Sequence, residues 1–328
     1  MDISKSINYL LIGYGYWGPN LARNITNNKH SELSIIIDIN EDNLKSAKKK
    51  KIANTYLNDL KKLDKSMLED IDVIVIATPP NTHSRLIKEL AHFRKDFLVT
   101  KPVITTSSEI DDIKNLMIKY NFEIFVDETF VYSNKVKKIK EIVNDNSFGE
   151  IQYIYSNRSN LGLIQENQNV VWDLAPHDLS IVSFITGLYP VSTVAFSSNP
   201  LKNIQANDTI ASLKFEYPTG IDFYLNLSWL SPEKHRYMIF NGTNQTLIYD
   251  DNLEEKSLVI YDQKISFNNS NYIYEKNLGK SISVNINEPL HDEINQLSMY
   301  KLTGEYKPIT TFENSIKNIL SIENISYL

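Results

Sequence analysis

INYLLIGYGYWGPNLARNITNN runs from Ile7 to Asn28. It opens as a short apolar run, turns through Gly13-Tyr14-Gly15-Tyr16-Trp17-Gly18, and continues with apolar residues at helical spacing. A G-x-G-x-x-G alone is a weak signal. Here a strand precedes it, a helix follows it, and Asp38 ends the next strand-like run, ELSIIIDIN (32–40). The glycines allow a tight turn and a close backbone approach to a pyrophosphate. The helix N-terminus offers free N–H groups and a partial positive charge. Pro19 suits the first turn of that helix, where its missing N–H costs little. An acid at Asp38 can accept hydrogen bonds from an adenosine ribose and would repel a 2′-phosphate, which favours NAD over NADP. The competing reading is a glycine-rich turn in another kind of α/β protein. The context favours a dinucleotide site, with Gly13, Gly15, Tyr16, Trp17, Gly18 and Asp38 as cofactor-binding residues.

The pattern extends outward from this turn. EDNLKSAKKKK reads as a polar helix, IDVIVIAT (71–78) as a buried strand, and Thr82 to Phe93 as an amphipathic helix. FLVTKP (97–102) and FEIFVDETF (122–130) are further strands, separated by the helix SEIDDIKNLMIKYN. Strand–helix alternation of this kind predicts an α/β domain over 1–125, a Rossmann doubly wound parallel sheet. After about residue 126 strands dominate: IQYIYSN, VSTVAFSSN, DTIASLKFEY, GIDFYLNLSWL, YMIFNG, QTLIYD and SLVIYD. YPTG (217–220) reads as a hairpin turn, and helices are expected near 133–145, 174–187 and 288–303. Residues 126–328 are therefore expected to form an α+β domain with a large open, mostly antiparallel sheet, for substrate binding and oligomerisation. Leu213, Phe215, Phe223, Leu225 and Leu227 supply apolar side chains to one face of that sheet. Such a face needs covering by helices or by a partner, so a homodimer or homotetramer is expected.

Composition narrows the functional classes. The chain has 328 residues, enough for two domains, with 42% hydrophobic and 23% charged residues. The net charge is −6, and the densest basic cluster, KSAKKKK, fits a solvated helix face. A nucleic-acid partner is not expected. There are no cysteines, which removes disulfides, Cys-ligated zinc and a thiol nucleophile. No apolar run is long enough to span a bilayer, and the N-terminus lacks the features of a signal peptide. A cytoplasmic location follows as an expectation.

Two more loops should lie at the carboxyl edge of the sheet, where doubly wound folds bind ligands. In Ala77-Thr78-Pro79-Pro80-Asn81-Thr82-His83 the prolines fix an extended path, and Asn81 or Thr82 can cap the next helix. Thr78, Pro79, Asn81 and His83 are candidate cofactor contacts. For His83 the alternative is a helix-start residue that binds nothing. Thr100-Lys101-Pro102 closes the following strand, and Pro102 favours an extended Lys101. A lysine pinned beside a cofactor can hold a substrate hydroxyl and lower its pKa. Read by itself, it is one surface lysine among many.

VWDLAPHDLSIV (171–182) is apolar apart from Asp173, His177 and Asp178. Asp173 as N-cap of a helix starting at Leu174 would place Pro176 harmlessly in the first turn. Asp173 and His177 are then i and i+4, and an acid on one imidazole nitrogen leaves the other to exchange a substrate proton. The alternatives are a simple cap with a core histidine, or a metal site, for which no third ligand stands at a recognisable spacing. Arg158 and Asn160, in SNRSNLG, follow a strand and could hold a diphosphate or sugar hydroxyls, or form a surface turn.

GYGYWGPN, ATPPNTH, TKP and WDLAPHD occur in this order, and together they resemble the glucose–fructose oxidoreductase / inositol dehydrogenase / rhizopine catabolism (Gfo/Idh/MocA) family of NAD(P)-dependent oxidoreductases. The similarity covers nearly the full length. GYGYWGPN, NRSNLG and WDLAPHD look most like members acting on nucleotide-linked sugars, of the UDP-N-acetylglucosamine 3-dehydrogenase type. The resemblance implies a Rossmann domain followed by an open-faced sheet, with Lys101, Asp173 and His177 catalytic and Lys101 also beside the cofactor. Two positions depart from the family pattern. Thr100 replaces the Glu of Glu-Lys-Pro, and Glu128 stands where related sequences often carry His. The expected activity is NAD-dependent hydride transfer on a sugar carbon bearing a hydroxyl or keto group. The rivals are NAD-dependent glycoside cleavage on the same fold and a non-catalytic dinucleotide-binding subunit.

Overall fold

The computed structural model describes residues 5–162, 164, 168–201, 207–254, 256–268 and 271–327. The chain divides into two units, residues 1–132 with 288–319, and residues 133–287 with 320–328.

The first unit begins with β1 (Ile7–Ile12), α1 (Gly18–Asn27), β2 (Ser31–Ile37), α2 (Glu41–Lys50) and β3 (Thr55–Leu57). It continues through β4 (Val73–Ile76), α3 (His83–Leu90), β5 (Asp96–Thr100), α4 (Ile110–Tyr120) and β6 (Ile124–Asp127). The six strands are parallel in the order β3-β2-β1-β4-β5-β6. The order reverses at β1, the topological switch of a dinucleotide-binding sheet. Val73, Ile74, Val75 and Ile76 are all fully buried, as a central parallel strand covered on both faces requires. Asn40 caps α2 by accepting from the N–H groups of Asp42 and Asn43, and Lys48 to Lys50 fill its last turn. The lysine cluster thus belongs to a solvated helix whose negative end it complements.

The second unit contains α5 (Asn134–Val143), β7 (Ile151–Leu161), α6 (Val170–Thr186), β8 (Ser192–Ser198) and β9 (Ile210–Glu216). Then come β10 (Asp222–Ser228), β11 (Leu230–Gly242), β12 (Gln245–Asp250), β13 (Leu258–Asn268), β14 (Asn271–Lys276) and β15 (Lys280–Ser281). The remaining elements are α7 (Pro289–Thr303), α8 (Phe312–Glu323) and β16 (Ser326–Tyr327). Among the described residues the second sheet runs β14-β13-β12-β11-β7-β10-β9-β8-β16, with β15 on β13. Most pairs are antiparallel, but β7–β10 and β8–β16 are parallel. The β9–β10 hairpin turns at 217–220 as the sequence suggests, with Gly220 at φ +81°. Leu213, Phe215, Phe223, Leu225 and Leu227 are all buried within this unit. The stripe that motivated an oligomer is therefore covered by the chain itself. Residues of the alternate register, such as Ser212, Glu216 and Tyr224, are exposed.

A single division at residue 125 does not describe these units. Helix α7 returns to the first. Leu290, Ile294 and Leu297 join Tyr9, Leu11, Leu21, Ile25, Val75 and Phe125 in one core cluster. Tyr9 and Ser298 share a hydrogen bond of 2.8 Å between their hydroxyls. The chain after α7 then lies along β6, where Val126 N–H donates to Thr310 O (2.8 Å), and so covers an edge that would otherwise stay unpaired. Sequence distance hid this, since helical periodicity says nothing about which sheet a helix covers. Replacing fully buried Ile294 with Ala should cost about 2–5 kcal/mol in urea unfolding. A loss below about 0.5 kcal/mol would show that α7 does not complete this core.

Candidate active site

In the first unit the candidate residues follow the carboxyl ends of β1, β4, β5 and β6. Gly13 leaves β1 at φ +97°, where a Cβ would lie 2.4 Å from the Ala77 carbonyl oxygen. At Gly18 a Cβ would lie 2.2 Å from the Gly13 carbonyl oxygen. Both glycines are required by the protein's own backbone. A Cβ on Gly15 would meet nothing within 4 Å. The second glycine of the motif thus has no internal explanation, and it is the one at which a pyrophosphate approaches the backbone in dinucleotide folds. Trp17, the N-cap residue of α1, makes no side-chain capping bond, and no acid sits in the first turn. The loop accordingly fits a dinucleotide diphosphate.

Asp38 is buried and accepts from Tyr14 N–H, Asn40 N–H (2.7 Å) and Asn43 Nδ2 (3.2 Å). Its carboxylate therefore braces the glycine loop. A carboxylate has about four acceptor directions, which leaves room for a ribose hydroxyl. Tyr16 is exposed, as are Pro79 and Asn81, while Thr78 is half-buried. Thr82 does not cap α3 through its side chain; its hydroxyl bonds Thr78 Oγ1 (2.6 Å) and Pro79 O (2.7 Å).

His83 is placed differently from the expected cofactor contact. It is fully buried, with Nε2 2.8 Å from Thr78 O and Nδ1 3.0 Å from Pro102 O. Burial pushes its pKa down, against the pull of these carbonyls. The ring ties the loop carrying Thr78 to the loop carrying Lys101 and presents no face to solvent. Thr100 brings its hydroxyl to 3.5 Å from His83 Nε2. Lys101 is half-buried, and the bond between it and Pro102 is cis.

Asp127, which closes β6, has no distinguishing signal in the sequence. It is buried and accepts from Trp17 Nε1 and Thr129 Oγ1 (2.6 Å). Burial raises its pKa, opposed by the bonds from Thr129 and Trp17 and by the positive charge of Lys101. Glu128 and Glu293 are buried beside it. Burial lifts Glu128 to about 7, Ser315 opposing and Asp127 adding. Glu293 is raised well above the carboxylate range by burial and by the Asp127 charge.

In the second unit, helix α6 begins earlier than its sequence suggests. Asn169 is its N-cap, accepting from Trp172 N–H (3.1 Å), so Asp173 lies in the first turn and Pro176 inside the helix. The proline removes the N–H that would have bonded the Trp172 carbonyl. Asp173 and His177 remain i and i+4, both half-buried. Asp173 Oδ2 accepts from Trp229 Nε1 (3.0 Å), a partner with no signal in the sequence. Asp178 is fully buried and accepts from Ser156 Oγ (2.7 Å) and Arg158 Nε. Arg158 is thus buried under α6 and is not part of a surface turn, while Asn160 is half-buried. Among the described residues no group of three His, Asp or Glu side chains could hold a metal ion.

Two family profiles match this chain. One, described as "Oxidoreductase family, NAD-binding Rossmann fold", covers residues 7–128. The other, the "GFO/IDH/MocA C-terminal domain", covers 136–248. The chain belongs to the Gfo/Idh/MocA oxidoreductase family. Among relatives, 2,7-anhydro-N-acetylneuraminate hydratase of Mediterraneibacter gnavus is 20% identical over 75% of this chain and 68% of its own length. Inositol 2-dehydrogenase of Rhizobium meliloti is 21% identical over 58% of each chain. An oxidoreductase of Streptococcus pneumoniae serotype 4 is 23% identical, and the match spans only 54% of its length. Of solved structures, UDP-N-acetylglucosamine 3-dehydrogenase of Acidithiobacillus ferrooxidans superposes with a TM-score of 0.79, at 16% identity over 98% of this chain and 96% of that one. An Agrobacterium radiobacter oxidoreductase in complex with NAD+, L-tartaric acid and magnesium superposes at 0.78, with 16% identity over 97% and 95%. At these identities the superpositions establish the fold.

Two outcomes test this geometry. Gly15→Ala should leave thermal stability unchanged yet weaken NAD binding about tenfold or more, whereas Gly18→Ala should destabilise the first unit. Equal, small effects of Gly15→Ala on both would remove the cradle argument. The second concerns pH. Below about pH 4.5 Glu128 is protonated in both folded and unfolded chains. From there to about 7 the unfolded chain ionises while the folded one keeps its proton, so stability falls, and above 7 the loss levels off. Glu128→Gln should therefore raise stability near neutral and alkaline pH by on the order of 3 kcal/mol and change little at acid pH, in unfolding curves measured across that range.

Proposed function

We propose that this chain is an NAD-dependent dehydrogenase or ketoreductase acting on a hydroxyl or keto carbon of a nucleotide-linked sugar. The observation that carries the reading is the Asp173–His177 pair, one turn apart and half-exposed on α6, with Asp173 held by Trp229. A carboxylate so fixed can orient the imidazole and support its positive charge. His177 would take the hydroxyl proton during oxidation and return it during reduction. Lys101, at the end of β5 where this fold binds its ligands, would hold the reacting oxygen and stabilise negative charge on it. When bound, NAD supplies hydride acceptance or donation, and the chain's residues position the substrate and move its proton. The resemblance to a UDP-N-acetylglucosamine 3-dehydrogenase structure supports the substrate class. Asp38 supports NAD over NADP, because its negative charge opposes a 2′-phosphate. Exposed Tyr224 and Tyr153 on the second sheet support assembly through that face, which light scattering at micromolar concentration would detect as a dimer or tetramer.

A second reading has a specific support. A relative named as a hydratase of an anhydro sugar favours NAD use during bond cleavage or addition, without net NADH formation. Following NADH absorbance together with product release across a panel of UDP-sugars separates the two readings. A chain that binds NAD and UDP-sugars without turning any over would instead be a sensor or partner subunit. For the dehydrogenase reading, Lys101→Ala and His177→Ala should each lower kcat about 100-fold or more while NAD affinity stays nearly intact. Full turnover in both variants would end the assignment.

A further inference from the structure

Helix α1 starts from Trp17. The Trp17 carbonyl oxygen accepts from Asn20 N–H (2.9 Å) and Leu21 N–H (3.3 Å), the first bonds of that helix. Its side chain caps nothing, although its backbone is already near helical at φ −95° and ψ −31°. What holds Trp17 is the far edge of its ring. The indole N–H donates to Oδ2 of Asp127, the last residue of β6 and 110 residues along the chain. Thr129 Oγ1 donates to the other oxygen, Oδ1 (2.6 Å). In the β5–β6 register Asp127 stands beside Thr100, the residue before Lys101, and the Lys101 charge acts on its carboxylate. The glycine turn is thus pinned at both ends by a buried carboxylate. Asp38 takes Tyr14 N–H at one end, and Asp127 takes the Trp17 indole at the other. Between these anchors lie Gly15 and Tyr16, the exposed part of the turn.

An indole N–H taken out of water needs an acceptor, but a neutral acceptor would serve. A carboxylate at 127 weakens the fold. Glu128 from the same strand and Glu293 from α7 are buried with it. Neither oxygen of Glu293 meets a partner at hydrogen-bond distance and angle, and its carboxyl adjoins Asp127. Tyr9 and Tyr132 also border Glu293, and burial keeps both phenols protonated. Burial raises the pKa of Asp127, opposed by Thr129, Trp17, Glu293 and Lys101. A buried charge that lowers stability marks a functional position more than a packing one.

We propose that Asp127 is a positioning residue for the dinucleotide: through the Trp17 indole it holds the start of α1, and the glycine turn before it, in the arrangement that receives the cofactor diphosphate. A bond to an ionised acceptor is stronger than one to a neutral acceptor, which gives the carboxylate a purpose that packing does not. This role rests on the NAD-dependent reading above, though not on the choice of sugar.

Asp127→Asn keeps the shape of the side chain, loses its charge and leaves one oxygen for two donors. Trp17→Phe keeps a ring and loses the N–H. In calorimetric titration of the full chain with NAD near neutral pH, each should weaken binding about tenfold. The double variant should bind within about twofold of the weaker single one, because both remove the same bond; independent effects would multiply to about a hundredfold. Urea unfolding separates positioning from packing. With its pKa raised in the fold, Asp127 contributes stability at acid pH that is lost as pH rises through the folded value, and an amide escapes that loss. Asp127→Asn should therefore match the wild type at acid pH and equal or exceed it near neutral pH. An acid with only a structural role would show a loss of stability at neutral pH, and that result would overturn the role. So would NAD affinity within about twofold of wild type in Asp127→Asn, or losses that multiply in the double variant. Should Trp17→Phe fail to fold, the affinity and stability of Asp127→Asn together still decide. If the affinity pattern holds but no UDP-sugar is turned over, the role stands and the dehydrogenase reading falls. Turnover of UDP-sugars with NAD affinity unchanged in Asp127→Asn leaves that reading and removes the role.

Discussion

A Cβ at Gly18 would stand 2.2 Å from the carbonyl oxygen of Gly13, and a Cβ at Gly13 would stand 2.4 Å from that of Ala77. These close approaches fix how α1 can leave β1 and how near the end of β4 can come. With the turn so constrained, Gly13 N–H reaches Ile37 O (2.8 Å), Ala77 N–H reaches Ile12 O (2.8 Å), and Asp38 can accept from Tyr14 N–H. The loops after β1, β2 and β4 are thereby tied to one another by backbone hydrogen bonds. The loops after β4 and β5 are tied in turn by the His83 ring. Trp17 and Asp127 extend the chain of contacts to β6. A site assembled this way is held by main-chain bonds together with buried side chains, Asp38, His83 and Asp127, so its outline does not depend on exposed, flexible groups.

Helix α6 solves the same problem by side chains. It carries a proline in its interior, which leaves a helical carbonyl without its usual donor. It is retained by the sheet beneath it: Trp229 holds Asp173 at one point, and Ser156 with Arg158 holds Asp178 at another. His177 lies between those two anchors. The buried Arg158–Asp178 pair is better read as a device that fixes the helix in place than as a large net source of stability, because desolvation offsets much of its attraction.

The sheet of the first unit was readable in the sequence because its signals are local. A buried β-branched run, a glycine turn and an amphipathic helix each occupy fewer than about fifteen residues, and each repeats. The hairpin at 217–220 was readable for the same reason. What the sequence hid was partnership across long separations. Nothing in PLHDEINQLSMYKLT says that its apolar side covers Tyr9 and Leu11. Nothing near His83 says that its ring is enclosed by two carbonyls. The start of α6 was misplaced because Asp173 and Asn169 are both good capping residues, and the proline drew the boundary toward the later one. Only packing decides between them. Arg158 stayed open between a ligand-holding group and a surface turn because its partner, Asp178, is twenty residues away.

The two departures from the family pattern near Lys101 have different physical weights. Thr100 substitutes a short hydroxyl for a carboxylate, and it approaches His83 at a distance too long for a firm hydrogen bond. It removes a negative charge from the residue next to Lys101. Glu128 looks like the larger change, since an acid stands where an imidazole is common among related sequences. Its surroundings argue otherwise. Three buried carboxyls, Asp127, Glu128 and Glu293, cannot all ionise together. Asp127 has two donors and the nearby Lys101 charge to favour its anion. Glu293 is driven by burial to keep its proton, and Glu128, lifted to about 7, does so below neutral pH. A protonated Glu128 is neutral, as a buried imidazole is. Lys101 therefore has one carboxylate, Asp127, acting on it from this cluster, and the exchange at 128 changes shape while preserving charge.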